Sequence, residues 1–283
     1  MSKIDPRFDT TLPPVVHDGT IPRVNSLGLR IAGSLAKAAG HVFHALRPDW
    51  RATLPAETPP EKPIPAEEGG IPRIVWQTNF TDRCTWPMWR NVRHNRAMAK
   101  EFSFRFRDDA TCDAYMREHA GERTAAAYAR LTNGAAKADL WRLQVLHDFG
   151  GVYLDMDGTL VAPLAPLLRG RRELLVADDI RFTQYFMASV PRNPLFREFI
   201  DTVVENVEQY DFAAARPVFW TTGPAALEKV LLRHPEVKFA SRRDVCRQGV
   251  YTNEHFQYLD RPRAKWTHNP SFVRPAGENG AVK

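Results

Sequence analysis

Eleven of the 22 prolines fall at or before Pro72, so the first quarter of this 283-residue chain cannot be mostly regular structure. The densest stretch, Leu54 to Gly70 (LPAETPPEKPIPAEEGG), reads as an extended, semi-rigid linker. One helical island lies between the proline clusters, about Asn25 to Leu46, where Leu27, Ile31, Leu35, Ala38, Val42 and Leu46 recur at helical spacing. Arg30, Lys37 and Arg47 give it positive charge, which suits a helix lying on an anionic membrane surface. A helix packed on the protein body or on a partner gives the same pattern. The expected division is therefore a tail, 1–69, with an amphipathic helix at about 25–46 and a proline-rich linker, followed by a compact domain at 70–283.

The domain has enough apolar sequence to close a core: hydrophobic residues are 43% and charged residues 25%, near the averages for globular proteins. Disordered chains, collagen-like rods and disulfide miniproteins are excluded. The net charge of +6 suits an anionic ligand or an acidic membrane surface and does not single out nucleic acid. Cys84, Cys112 and Cys246 form no CxxC pair, which argues for reduced thiols rather than disulfides or a zinc site. Arg30, Lys37, His41 and His44 interrupt the best apolar stretch, so no membrane span is expected. The opening Lys3-Ile4-Asp5-Pro6 is not a secretory signal, and the expected location is cytoplasmic, with peripheral contact at the inner membrane face through the helix.

Apolar strand patterns at 71–77, 102–107, 152–154, 174–177 and 184–190 alternate with helical patterns at 110–119, 124–131, 134–149, 194–208 and 224–233. Such alternation predicts a layered α/β domain. Its most informative segment is GGVYLDMDGTLV, Gly150 to Val161. Asp155 and Asp157 leave the end of a buried strand, and side chains two apart in extended chain point to one side. Both carboxylates can then address one spot beyond the sheet edge, where open α/β sheets bind ligands. A hard divalent ion would relieve their repulsion; two turn-forming aspartates are the plain alternative.

DMDGTL also resembles the first motif of haloacid-dehalogenase-type phosphatases, in which Asp155 would be the nucleophile. The downstream Lys followed by an acidic pair that the family needs is not found in that order: Asp178-Asp179 comes too early, with no Lys between it and the turn, and no acidic pair follows Lys229 or Lys238. A second resemblance covers far more of the chain. AAKADLWRLQVLHDFGGVYLDMDGTLVAPL, Ala135 to Leu164, resembles the DxD sugar-binding region of glycosyltransferase family 32, which includes yeast-type α-mannosyltransferases and bacterial capsule and lipopolysaccharide transferases. It resembles the glucosyltransferase domains of large clostridial toxins as well. The opening IPRIVWQT, Ile71 to Thr78, resembles the family's first strand, and Thr222-Gly223-Pro224 its later turn before a helix. Trp76 stands where many relatives have His, Gln184 where Asn is common, and the C-terminal element is replaced by Tyr251 to Tyr258 and Lys265 to His268.

The resemblance implies a GT-A fold, a Rossmann-like mixed sheet flanked by helices, behind the proline-rich tail with its amphipathic helix. It implies a retaining transferase that uses Mn²⁺ or Mg²⁺ and a UDP- or GDP-hexose, with a polysaccharide, lipopolysaccharide or glycolipid acceptor. In that frame Asp157 holds the metal, and Asp155 contacts the ribose and sugar hydroxyls or shares the ion. Asp139 binds donor-sugar hydroxyls and Arg142 reaches the sugar or phosphate; being three apart on one helix, they share a face. Tyr153 is counted with the donor site. Trp76 either stacks on the base or fills the core. Glu254, a hard oxygen donor, and His255 are the candidates for a further metal ligand. A phosphatase, and a sugar- or nucleotide-binding module without catalysis, are the competing classes.

Overall fold

A computed structural model describes residues 18–65, 67–178, 181–214, 217–261 and 272–277. Lys265 to His268 lie outside them. In chain order the elements begin with α1 (Leu27–Leu46), β1 (Ala52–Thr53), β2 (Glu57–Thr58), β3 (Ile74–Asn79), β4 (Arg83–Cys84), α2 (Trp86–Met98) and β5 (Ser103–Asp108). There follow α3 (Asp109–His119), α4 (Glu122–Arg130), α5 (Gly134–Phe149), β6 (Gly151–Leu154), β7 (Gly158–Leu160), α6 (Leu164–Leu168), β8 (Glu173–Ala177) and β9 (Phe182–Ser189). The chain continues with α7 (Pro194–Glu208), α8 (Val218–Thr221), α9 (Pro224–Leu231), β10 (Phe239–Ser241), β11 (Cys246–Gln248) and α10 (Glu254–Gln257).

The main sheet among the described residues has seven strands in the order β10-β8-β9-β6-β3-β5-β2. β3 runs parallel to both β5 and β6, β8 parallel to β10, and β9 lies antiparallel between β6 and β8. The mixed sheet with helices on its faces is the expected fold class. Alternation along the strands feeds two cores. Trp76, Tyr153, Leu175 and Met187 face α5, α7 and α9 in one. Their neighbours Val75, Val152, Val176 and Phe186 lie with Leu160, Leu164 and Phe102 in the other. β6 is buried on both faces, as a central strand should be.

Two glycines join α5 to β6. Gly150 closes the helix with φ +65° and Gly151 follows with φ +99°. A Cβ on Gly151 would sit 2.7 Å from the Ile74 carbonyl oxygen, so β3 and β6 can pair at this point only with glycine there.

The separation of a tail at residue 69 needs correction, because the proline-rich segment is part of the folded body. β2 pairs antiparallel with β5 as the edge strand, and β1 pairs with β4. Prolines limit these strands to two residues without excluding them from an edge, where a missing N–H is tolerated. Ile21 is buried in the second core, and the Asp18 N–H donates to the Phe239 carbonyl. Helix α1 is packed rather than free: Gly33, Ala36, Gly40 and His44 form its buried face. Gly33 lies against the Val250 backbone and Gly40 against Pro87 and Phe256, both too close for a Cβ.

Candidate active site

The DxD turn is seated from three directions. From below, Asp155 continues β6, and its N–H donates to the Tyr185 carbonyl at 2.9 Å. From one side α2 grips the turn with two fully buried asparagines. Asn91 Nδ2 donates to the Met156 and Gly158 carbonyls, each at 2.8 Å, and Asn91 Oδ1 accepts the Thr159 hydroxyl at 2.6 Å. Asn95 Nδ2 donates to Gly158 O at 2.8 Å while its Oδ1 accepts the Leu160 N–H at 2.9 Å. From the other side β11 pairs with β7, which places Gln248 opposite Gly158. Gln248 Nε2 then donates to Asp157 Oδ1 at 3.2 Å, and the Gly249 N–H donates to the Asp157 carbonyl at 2.9 Å.

Asp155 and Asp157 open into a cleft of about 1000 Å³ that is also lined by Asp139, Arg142, Tyr153 and Glu254. Arg142 is the hub of its inner wall. Its guanidinium lies 3.0 Å from Asp139 and 3.6 Å from Asp155, donates to the Gln184 carbonyl at 2.8 Å, and covers the Tyr153 ring at 4.4 Å. The Tyr153 hydroxyl donates to Asp155 Oδ1 at 2.6 Å, and the Thr222 hydroxyl to Asp139 Oδ2 at 2.8 Å. All four predicted residues of the wall, Asp139, Arg142, Tyr153 and Asp155, thus meet in one network, with Asp157 two residues further on.

Burial sets the electrostatics. It pushes the Asp139 carboxyl up to about 7, against Arg142 and Thr222, which pull it down. Burial, followed by the charge of Asp155, raises Asp157 to about 6, although Gln257 and Gln248 donate to it. Burial works against the charge of Arg142, but Tyr153 and the acidic groups around it hold its proton more firmly than usual. Burial thus favours the protonated form of both carboxyls, although Lys137, Arg142, Arg181, Arg242 and Arg261 also line the cleft.

Two candidates point elsewhere. Trp76 is buried and does not line the cleft; its Nε1 donates to Gly150 O at 3.0 Å while Arg105 and Arg107 cover its ring. It staples β3 to the glycine turn, the core-packing alternative. The register of the pairing decides this, since Trp76 stands opposite Tyr153 and shares the α5 face of the sheet. His255 stacks on His41 of α1 at 5.1 Å, outside the cleft lining, because α10 turns it toward α1 and Glu254 toward the cleft. No group of three or more His, Cys, Asp or Glu among the described residues is arranged to hold a metal. What the chain offers a cation is the Asp155–Asp157 pair, two hard oxygen donors at a cleft wall. That set fits Mn²⁺ or Mg²⁺ if substrate oxygens and water complete the shell. The cysteines are free and buried, with Cys84 and Cys112 pushed up to about 12 by burial.

Sequence reasoning missed α2 altogether, and with it Asn91 and Asn95. The signal present was its start: Thr85 followed by Trp86-Pro87, a polar cap residue and a proline in the first turn. Gln248 was missed because β11 is three residues long and polar.

The carboxylate pair at the strand end and the Asp–Arg pair on the preceding helix all fall within one stretch that matches a known family. Residues 74–174 match the family of glycosyltransferase sugar-binding regions containing the DXD motif. The chain carries that region, and its likeness to glycosyltransferase family 32 holds there. DMDGTL falls inside the matched stretch, which favours the transferase over the phosphatase. The mannosyl phosphorylinositol ceramide synthase SUR1 of Saccharomyces cerevisiae is 30% identical over 94 residues, 33% of this chain. The matched segment spans about a quarter, 24%, of that enzyme's length. Among solved structures, the PaToxG glycosyltransferase is similar with a TM-score of 0.45 and 15% identity, over 74% of this chain and 80% of the other. The UDP-bound glycosyltransferase domain of the YGT toxin follows at 0.38 and 13%, over 53% of this chain and 54% of the other.

Proposed function

We propose that this protein is a metal-dependent, retaining glycosyltransferase that moves a hexose from UDP- or GDP-hexose to a polysaccharide, lipopolysaccharide or glycolipid acceptor at the cytoplasmic face of the membrane. The observation that carries this is the convergence of Asp139, Arg142, Tyr153, Asp155 and Asp157 on one cleft wall. A diphosphate leaving group concentrates negative charge as it departs, and stabilising that charge is the main catalytic demand. Asp155 and Asp157 would hold Mn²⁺ or Mg²⁺, which as a Lewis acid supplies that stabilisation. Arg142 is already engaged by two carboxylates and a carbonyl, so it fixes their positions more than it reaches outward. Asp139, held by Arg142 and Thr222 at the same wall, is placed to accept hydroxyls of the donor sugar.

Retention is taken from the likeness to family 32, and the way these carboxylates are engaged bears only on its route, which would run without a covalent intermediate. Asp139 and Asp155 are each bound by a hydroxyl and by Arg142, which blunts either as a covalent nucleophile. The acceptor then attacks on the leaving-group face, and a diphosphate oxygen takes its proton.

The test is thermal shift with UDP and GDP, with and without Mn²⁺, followed by release of the nucleoside diphosphate from UDP- and GDP-hexoses. Mn²⁺-dependent stabilisation by one nucleotide is expected, lost in Asp157→Ala. Stabilisation that ignores Mn²⁺, or an Asp157→Ala variant with full turnover, overturns the assignment. Hydrolysis of a phosphomonoester in place of sugar transfer would return the phosphatase.

A further inference from the structure

Helix α1 is amphipathic in an inverted sense. Its small residues face inward, since Gly33, Ala36 and Gly40 let it sit close on Val250 and Pro87. Its large apolar residues face out: Leu27, Ile31, Leu35, Val42 and Leu46 are each more than half exposed. By their spacing they fall within about 100° of the helix circumference, a continuous stripe rather than scattered side chains. A packed helix gains by turning such residues inward, so this stripe is built for a second surface.

The surroundings say what that surface is. α1 contains no Asp or Glu. Exposed Arg30 and Arg47 flank the stripe, and Arg247 of β11 has Arg30, Arg242 and Arg243 as charged neighbours. Partial burial and then the charges of Arg30, Arg243 and Arg242 depress the pKa of Arg247, and Asp244 opposes them. At the other end of α1, Phe43 packs against Trp50 and stacks on Trp86, whose ring carries Arg90. Exposed Arg93 lies over half-buried Trp89 nearby. Apolar side chains between arginines, with tryptophans at one end, match the layering of a bilayer surface from acyl chains to headgroups. A protein partner would need acidic groups facing each of these clusters. A second copy of this chain would bring arginines against arginines.

We propose that the outer face of α1, with its arginine rim, docks this protein on an anionic phospholipid bilayer. The docking stands on the surface of α1 and holds whatever the cleft transfers. It also orients the cleft. Lys37 Nζ donates to the Gly249 carbonyl at 3.0 Å, and Gly249 lines the cleft and donates to the Asp157 carbonyl. One residue therefore links the docking helix to the carboxylate turn, and the cleft is held at a fixed place relative to the lipid.

The experiment is co-sedimentation of the full chain with vesicles of phosphatidylcholine alone and with added phosphatidylglycerol. Two variants are compared: Ile31→Gln/Leu35→Gln/Val42→Gln, which removes the stripe, and Arg30→Gln/Arg47→Gln, which removes only charge from exposed positions. Thermal midpoints and light scattering run in parallel. Binding to the anionic vesicles that weakens with salt is expected, since rim attraction is screened. At least a tenfold lower partition coefficient is expected for the stripe variant, and a smaller loss for the charge variant, with midpoints unchanged. No vesicle binding by the folded wild-type chain overturns the proposal. So does equal binding by both variants, or a stripe-dependent dimer by light scattering with no vesicle binding. If the stripe variant melts early, undiminished binding by the charge variant at every salt concentration is enough to overturn it.

Discussion

Asn91→Ala isolates the contribution of α2 to the carboxylate turn. The side chain makes three hydrogen bonds, two to carbonyls of the turn and one from Thr159, and both Asn91 and Thr159 are fully buried. Each bond contributes roughly 1 kcal/mol net, and an unsatisfied buried partner costs about 1–3 kcal/mol. Alanine returns roughly 0.5 kcal/mol through its better helix propensity. The expected loss is therefore about 2–4 kcal/mol in denaturant unfolding of the apo protein. The functional consequence is larger than a global loss of stability predicts. With Met156 O released and Gly158 O left to Asn95 alone, the turn between the two aspartates loses its fixed shape, and Mn²⁺-dependent affinity for the nucleoside diphosphate falls at temperatures where the variant is still folded. Calorimetric titration on the folded variant reads this directly. A stability loss under about 0.5 kcal/mol, or native Mn²⁺-dependent affinity in a variant that has lost stability, would refute the assignment of Asn91 to seating the turn.

Three further outcomes are expected. Because burial and Asp155 raise Asp157 to about 6, protons compete with the metal below that pH. Mn²⁺-dependent nucleotide affinity should drop by about tenfold per unit below pH 6 and flatten above it, and a flat titration from pH 5 to 7.5 contradicts the role of Asp157. Asp139→Asn should lower kcat far more than affinity for the free nucleoside diphosphate if this carboxylate binds the donor sugar as proposed; parallel losses in both would place it on the diphosphate instead. Removing residues 1–69 should destabilise the domain, since it strips β2 from the sheet edge and uncovers Val250 and Pro87; an unchanged thermal midpoint would show that these contacts are dispensable.

The α5–β6 corner was legible because its constraints are local. Gly150-Gly151 stops a helix, a short apolar strand needs burial on both faces, and two carboxylates follow its end, although in a turn rather than in extended chain. The same holds for Asp139 and Arg142, three apart on one helix. Long-range register was not legible. Nothing in the one-dimensional pattern says that Trp76 lies opposite Tyr153 with its indole on Gly150, so stacking on a base and packing in the core looked alike. α2 escaped because much of its surface is polar, with two of its polar side chains turned inward onto backbone of the turn. The proline-rich segment misled through a sound rule used too broadly. Prolines forbid long strands, but an edge strand of two residues beside Pro59 breaks no rule.

The inner face of α1 has a consequence for the growing chain. Lys37 and its acceptor Gly249 are 212 residues apart, and Val24 and Asp244 are 220 apart. At ribosomal rates of roughly 5–20 residues per second, α1 leaves the exit tunnel on the order of ten to forty seconds before the segment it seats upon. Pro87 of α2 can cover part of the inner face early, but the seats of Gly33 and Lys37 stay empty throughout that interval, and the outer face of leucine, isoleucine and valine lies open. Completing the inner face then depends on the late arrival of Gly249 and Val250, just after β11, and the same arrival brings Gln248 to Asp157. The docking helix and the acidic turn become native in a single step.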